Sequence, residues 1–314
     1  MSSRIDLQAM TPRWPALGLL LLPSWCAAGW LIHQTSWYWS HKPDMSFGWI
    51  VVLLCGFLIT EVAPSLPAPR LRWSFPSVVL AVLGLSSLLV FQLYQAAFGT
   101  MPASLMALAF GSMAIITANI LYVFGPSALG TLGFAFYFLL IALPLPSFIQ
   151  SLVISNLQNF VAMMDEELLN SIGIPAHRQG SVIQLATGKV GVDDACSGFR
   201  SLQSSIMAAL FIGFLLFKTW GWRIALGLLS IFLAVLGNLG RTFYLCYQGA
   251  AKGTDAVKGV HDAAGWSVML FTAVGVGIAA WLVLKLQKAQ AAYAAEVDDD
   301  EVDDPPETPK SQPS

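Results

Sequence analysis

Long apolar runs alternate with short polar connections along this chain, and that alternation leaves few folds open to it. The first run is residues 14–32, "WPALGLLLLPSWCAAGWLI". Others follow at about 48–61, 75–95, 101–123, 127–143, 200–217, 222–246 and 264–286. About 20 apolar residues is the length a helix needs to cross the hydrocarbon core of a bilayer. Inside that core the backbone has no water to bond, so a helix satisfies its own N–H and C=O groups. The pattern predicts an all-α polytopic membrane protein with eight transmembrane helices. The charge content agrees: 11% of residues are charged, against about 25% in a soluble domain. The net charge of -2 offers no basic surface for nucleic acid. No P-loop, GxGxxG fingerprint or zinc-finger spacing is present, so neither a metal nor a cofactor is expected.

The chain divides into an N-terminal segment, 1–13, a membrane domain, 14–287, and an acidic, proline-containing tail, 288–314. The tail has almost nothing to bury and is expected to be disordered. The longest stretch between spans is 144–195, the main part of an extracytoplasmic segment, 144–199. Ile149, Val153, Leu157, Phe160, Met164 and Leu168 recur there every three or four residues, which predicts an amphipathic helix lying on the bilayer or the bundle. Gln158, Asn159, Asp165 and Glu166 fall on or near its polar side. "SVIQLATGKVGVDD" then reads as two extended pieces with a turn at Thr187-Gly188-Lys189, a short β-hairpin. The aromatic segment "HQTSWYWSHKPDMSFGW" is expected as an interfacial loop between the first two spans.

Eight spans put both termini on one side. With the termini cytoplasmic, Arg4, Arg13, Arg70, Arg72, Lys218, Arg223, Lys285 and Lys288 lie inside, against Lys42, Lys252 and Lys258 outside. That bias favours this orientation. Three chemistry-bearing residues then share the outer face: Cys196 before span six, Arg241 near the outer end of span seven, and His261 in the connection before span eight.

A cysteine attacks carbonyl carbon as its thiolate, and needs a base or a neighbouring cation to form it. His261 is of the first kind. Arg241, with several donors and a permanent charge, suits a tetrahedral oxyanion. Asp193, Asp194 and Asp262 can orient the His or the Arg, and Arg200, one turn beyond Cys196, can equally lower the thiol pKa. Simpler readings stay open. Cys196 can be structural or pair with Cys246, Arg241 can be an interfacial snorkelling residue, and His261 can cap the last span. Asn238, one turn before Arg241, and Asn119 read as polar links between helices. Cys26 and Cys55 lie in apolar runs and read as packing residues.

The segment "DDACSGFRSL" resembles the cysteine box of the exosortase/archaeosortase family: an acidic residue, Ala, Cys, Ser or Asn, Gly, an aliphatic residue and Arg. "LGNLGRTFYL" is similar to the Asn-to-Arg box of that family, and "GVHDAAGW" to its His box. The three boxes keep the family order. "GIPAHRQGSVIQLATGKV" resembles the segment preceding the cysteine box, and "WYWSHKPDMSFGW" is a looser match to an early loop. The likeness covers about residues 30–285.

The resemblance implies Cys196 as nucleophile, Arg241 as stabilising cation and His261 as proton-transfer group. Asp194, Ser197, Gly198, Arg200, Asn238 and Asp262 would support them. Asp194 stands where Glu is common, and Phe199 where an aliphatic residue is usual. The implied activity is that of a cysteine protease-transpeptidase in the cell membrane. Its substrates would be exported proteins with a C-terminal signal: a short motif such as Pro-Glu-Pro, one transmembrane helix and a basic end. The new C-terminus would pass to an acceptor, with membrane lipids, a lipid-linked amine, a glycan amine and water as candidates. A transporter, or a non-catalytic partner in export or polysaccharide assembly, is the competing class. The special residues sit at span ends rather than at the midplane, which counts against the transporter.

Overall fold

A computed structural model describes residues 14–42, 45–191 and 198–302. They form an all-α polytopic membrane protein with one small open sheet. Among the described residues, six helices are long and apolar enough to cross a bilayer, or seven counting a bent pair spanning 126–171 as one crossing. The chain separates into two compact units, 1–156 and 157–314.

The first unit opens with α1 (Trp14–Leu20) and α2 (Leu22–His41). Helix α2 continues through the aromatic segment expected as a loop. It is tied down there: the Trp39 indole N–H donates to the Ala142 carbonyl at 2.8 Å, which gives a buried Trp the partner its N–H requires. Helix α3 covers Gly48–Val62, α4 Phe75–Phe98 and α5 Pro102–Val123. Helix α4 starts where Ser74 and Ser77 form a reciprocal capping box. Helices α4 and α5 touch at Gly84 and Gly111, where an added Cβ would meet the opposite backbone at 3.0 Å. Asn119 does link helices, accepting from Ser24 at 2.7 Å and donating to the Leu20 carbonyl at 3.2 Å. Cys55 is buried, whereas Cys26 is exposed on α2; a thiol is apolar enough to face lipid.

The run expected as a continuous fifth span is broken. Residues 126–142 pass through short 3₁₀ and π turns around a four-residue α6 (Phe134–Tyr137). Gly130 and Gly133 weaken a regular helix there, and Pro144 and Pro146 stop it.

Helix α7 (Ser147–Ser171) runs through the unit boundary. Its helical form matches the periodicity. Val161, Ala162, Asp165 and Leu169 are buried. Ile149, Phe160 and Leu168 of the periodic stripe are exposed. The reason is that an amphipathic helix beside a membrane has two apolar surroundings, protein and lipid, and periodicity does not distinguish them.

In the second unit the sheet has three antiparallel strands where two were expected: β1 (Ala176–Gln179), β2 (Val182–Leu185) and β3 (Gly188–Gly191). Leu185 pairs with Gly188, so the second turn is Ala186-Thr187, one position before the expected one. Asn170 accepts from the Ala176 N–H and donates to its carbonyl, both at 3.0 Å, and Glu166 accepts from the Arg178 N–H at 2.9 Å. These bonds fasten β1 to α7. Ile183, Leu185 and Val190 form one apolar cluster with Ala162, Leu169, Leu245, Cys246 and Ala264.

Helices α8 (Phe199–Leu216), α9 (Trp220–Lys252) and α10 (Asp255–Val302) complete the unit. The connection expected over 247–263 shrinks to Gly253-Thr254, because no proline in 247–252 stops the helix and Gly253, at φ 88°, turns the chain. Helix α10 also runs through 288–302, part of the tail expected to be disordered. "KAQAAYAAE" explains this, since Ala, Lys, Gln and Glu are strong helix formers. Residues 303–314 lie outside the described residues.

Candidate active site

Helices α9 and α10 are antiparallel neighbours joined by two residues, so positions 20 apart can meet. Arg241 and His261 do: Arg241 Nη2 lies 3.1 Å from His261 Nε2. Arginine only donates, so Nε2 accepts and the ring proton of a neutral His261 resides on Nδ1. Gly265 lies one turn beyond His261, and an added Cβ there would stand 3.5 Å from Arg241 Nη2. The guanidinium rests against α10 at this glycine.

Cys196, Asp193, Asp194 and Ser197 lie outside the described residues, as does the side chain of Asp262. The description resumes at Gly198, covalently two positions after Cys196. Gly198 adopts φ 78° and ψ 2° just before α8, in the left-handed region. An added Cβ would fall 2.6 Å from Asn238 Cγ. Asn238 is buried one turn before Arg241. The second unit therefore brings the end of the cysteine box onto α9 at the turn that leads to Arg241. Arg200 is exposed on the first turn of α8. Cys246 is buried in the apolar cluster below the sheet.

Gly198→Ala is expected to impair the site in two ways. A left-handed conformation costs an L-residue roughly 1–2 kcal/mol, and the methyl group would overlap the Asn238 carboxamide. Substrate processing at matched membrane abundance measures the loss. Unchanged processing would show that this close fit does not matter.

Asp165, expected on or near the polar side of α7, is buried instead. Its side chain is fully buried on α7. Neither carboxylate oxygen has a hydrogen-bond partner among the described residues. Burial pushes its pKa up to about 7, while the nearby Thr242 side chain acts in the lowering direction. The Thr242 hydroxyl proton is committed to the α9 carbonyls of Asn238 and Leu239, each at 3.1 Å. A protonated Asp165 can donate to that hydroxyl oxygen. Thr242 follows Arg241, so this buried acid adjoins the same turn. No signal short of the packing itself marked Asp165, the first residue of an exposed-type "DEE" run.

The folded carboxyl holds its proton to higher pH than the unfolded chain, whose pKa is near 3.8. Its stabilising effect is complete below pH 3.8 and is lost as pH rises from there through about 7. With roughly 1.36 kcal/mol per pKa unit, the loss is about 4 kcal/mol. Asp165→Asn is expected to flatten the difference in thermal stability between pH 4 and pH 8 in detergent. Parallel pH profiles for the two proteins would exclude this account.

Among known families, residues 39–287 match the family model described as transmembrane exosortase. No curated protein and no solved structure matches the chain.

Proposed function

Because the chain belongs to the transmembrane exosortase family, we propose that Cys196, Arg241 and His261 are the residues that carry out its chemistry. The family assignment makes it a membrane cysteine protease-transpeptidase acting on PEP-CTERM-like sorting signals of exported proteins. The observation that carries the residue assignment is the Arg241–His261 contact, formed on the α9 turn against which Gly198 packs.

The resting contact has a mechanistic consequence. The Nε2 lone pair of His261 is occupied by Arg241, so His261 accepts a proton there only when the guanidinium turns elsewhere. Anionic charge arriving with the substrate supplies that alternative partner. His261 Nε2 then takes the Cys196 thiol proton, and the thiolate attacks the carbonyl carbon beside the sorting motif. Arg241 holds the oxyanion of the tetrahedral intermediate. The C–N bond breaks, the leaving amine takes the proton from His261, and a thioester remains on Cys196. An acceptor amine or water gives a proton to His261, attacks the thioester and releases the thiol, which recovers that proton. Asp194 and Asp262 orient the cation and the imidazole, with Ser197 and Gly198 shaping the turn around the nucleophile and Arg200 adding positive charge near it.

Adding residues 14–32 and 127–143 to the six long apolar helices makes eight spans, with both termini cytoplasmic and the site facing the exterior or periplasm of the inner membrane. The Arg and Lys distribution supports this orientation. In a Cys26→Ser background, a membrane-impermeant maleimide is expected to label Cys196 in intact cells. It should label a cysteine at Ser311 only after permeabilisation. The reverse pattern would overturn the orientation.

A further inference from the structure

An apolar groove of about 580 Å3 runs between α9 and α10. It extends on α9 from Tyr244 to Leu236, about 12 Å at 1.5 Å per residue. Gly240, Ala263 and Ser267 are exposed along it. At Gly240 an added Cβ would find no atom within 4 Å, so the groove stays open over that turn. Arg241 is the one charged group among the described lining residues.

The level of the groove follows from helix length. Helix α9 has 33 residues, about 50 Å, well beyond a hydrocarbon core of about 30 Å. With Trp220 at one interface, Arg241 lies about 32 Å along the axis, at the other. The groove thus begins at an interface, beside the Arg241–His261 pair, and descends into the apolar layer. Its occupant needs an apolar helical surface able to approach closely packed small residues, and an anion at the height of the guanidinium.

We propose that this groove seats the outer end of the substrate's single transmembrane helix, with a carboxylate side chain just outside its apolar run paired to Arg241. The proposal rests on the protease-transpeptidase reading and deepens it. The seat fixes the height and direction in which the chain preceding the helix emerges, next to the pair on α9 and α10. It also gives the guanidinium an anionic partner in place of His261 Nε2. Membrane anchoring and proton transfer are coupled in this way through one side chain. A phospholipid offers an anion too, but its flexible chains gain little from a glycine floor.

The test uses the full chain in membranes with a full-length substrate. A photoreactive amino acid replaces Ser267, or Gly277 as a control, in the Cys196→Ala protein. Gly277 is exposed on α10, has no atom within 4 Å of a built Cβ and does not line the groove. The Ser267 probe is expected to crosslink the substrate helix, and the Gly277 probe is not. Changing the substrate's acidic residues at the outer end of its helix to amides should reduce the Ser267 crosslink. Gly240→Leu, which fills the groove, is expected to slow processing about a hundredfold, the scale of a mispositioned reacting group. Gly277→Leu should process normally. Wild-type labelling of Cys196 in Gly240→Leu by a small thiol reagent confirms that the fold survives. Crosslinks to lipid alone from Ser267, or wild-type processing by Gly240→Leu while Cys196→Ala is inactive, would overturn the groove assignment and leave the catalytic reading intact. Processing by Cys196→Ala itself would overturn the reading on which the groove rests.

Discussion

Cys196→Ala is expected to leave the membrane-tethered substrate at its full mass. Alanine retains the small volume of the site and removes the nucleophile, so no thioester forms and neither cleavage nor transfer proceeds. Intact mass of the substrate after co-expression is the direct measurement. With the wild-type protein the mass falls by the C-terminal signal, and any acceptor adds its own mass to the new C-terminus. With the alanine variant, at equal membrane abundance, the precursor accumulates. Normal processing by that variant would rule out a thiol mechanism. Cys196→Ser distinguishes further. A hydroxyl is a far poorer nucleophile at neutral pH, so serine should resemble alanine rather than wild type.

Arg241→Ala is expected to produce the second large effect. Loss of a single oxyanion donor costs about 2.7–4 kcal/mol in a well-studied protease site, a hundredfold or more in rate. Here the same substitution also removes the partner of His261 Nε2 at 3.1 Å. Arg241→Lys keeps the charge but loses the planar fork of donors, and its rate should fall between alanine and wild type. The initial rate of precursor conversion in reconstituted membranes checks the order. Equal rates for wild type and the alanine variant would remove Arg241 from the mechanism. If lysine equals alanine, the donor geometry rather than the charge is what matters.

Much of the candidate site was visible as residue types in order. Cys196, Asn238, Arg241 and His261 stand in short boxes whose chemistry is recognisable without a fold. Their elements were less visible. His261 was expected in a long connection and lies in the second turn of α10. Arg241 was expected near the outer end of span seven, and the helix that carries it, α9, continues to Lys252. The helices outrun the apolar runs for one cause: hydropathy marks where a helix leaves lipid, not where the helix ends. Beyond the bilayer, α9 and α10 continue on helix propensity and on packing against the sheet, through Leu245, Cys246 and Ala264.

Asp165 was misplaced for a different reason. A residue's polarity predicts the side of a helix that faces water, but α7 buries one polar residue and exposes apolar ones. Phe148 and Leu152 are exposed, while a carboxyl group is buried against α9. Which face packs depends on the partner's surface, here the Thr242 turn, and that partner is 77 residues away in the chain.

The sequence by itself determined the solvent and the chemistry. Summed hydropathy over each run is a local property, so it specifies a polytopic membrane protein, and the boxes specify a cysteine, an arginine and a histidine in that order. Tertiary structure decided which of them touch. The Gly253-Thr254 reversal sets α9 against α10 and brings Arg241 to His261, and the missing side chain of Gly198 admits Asn238. Contacts of this kind depend on matched volumes between residues far apart in the chain, and no local sum contains them.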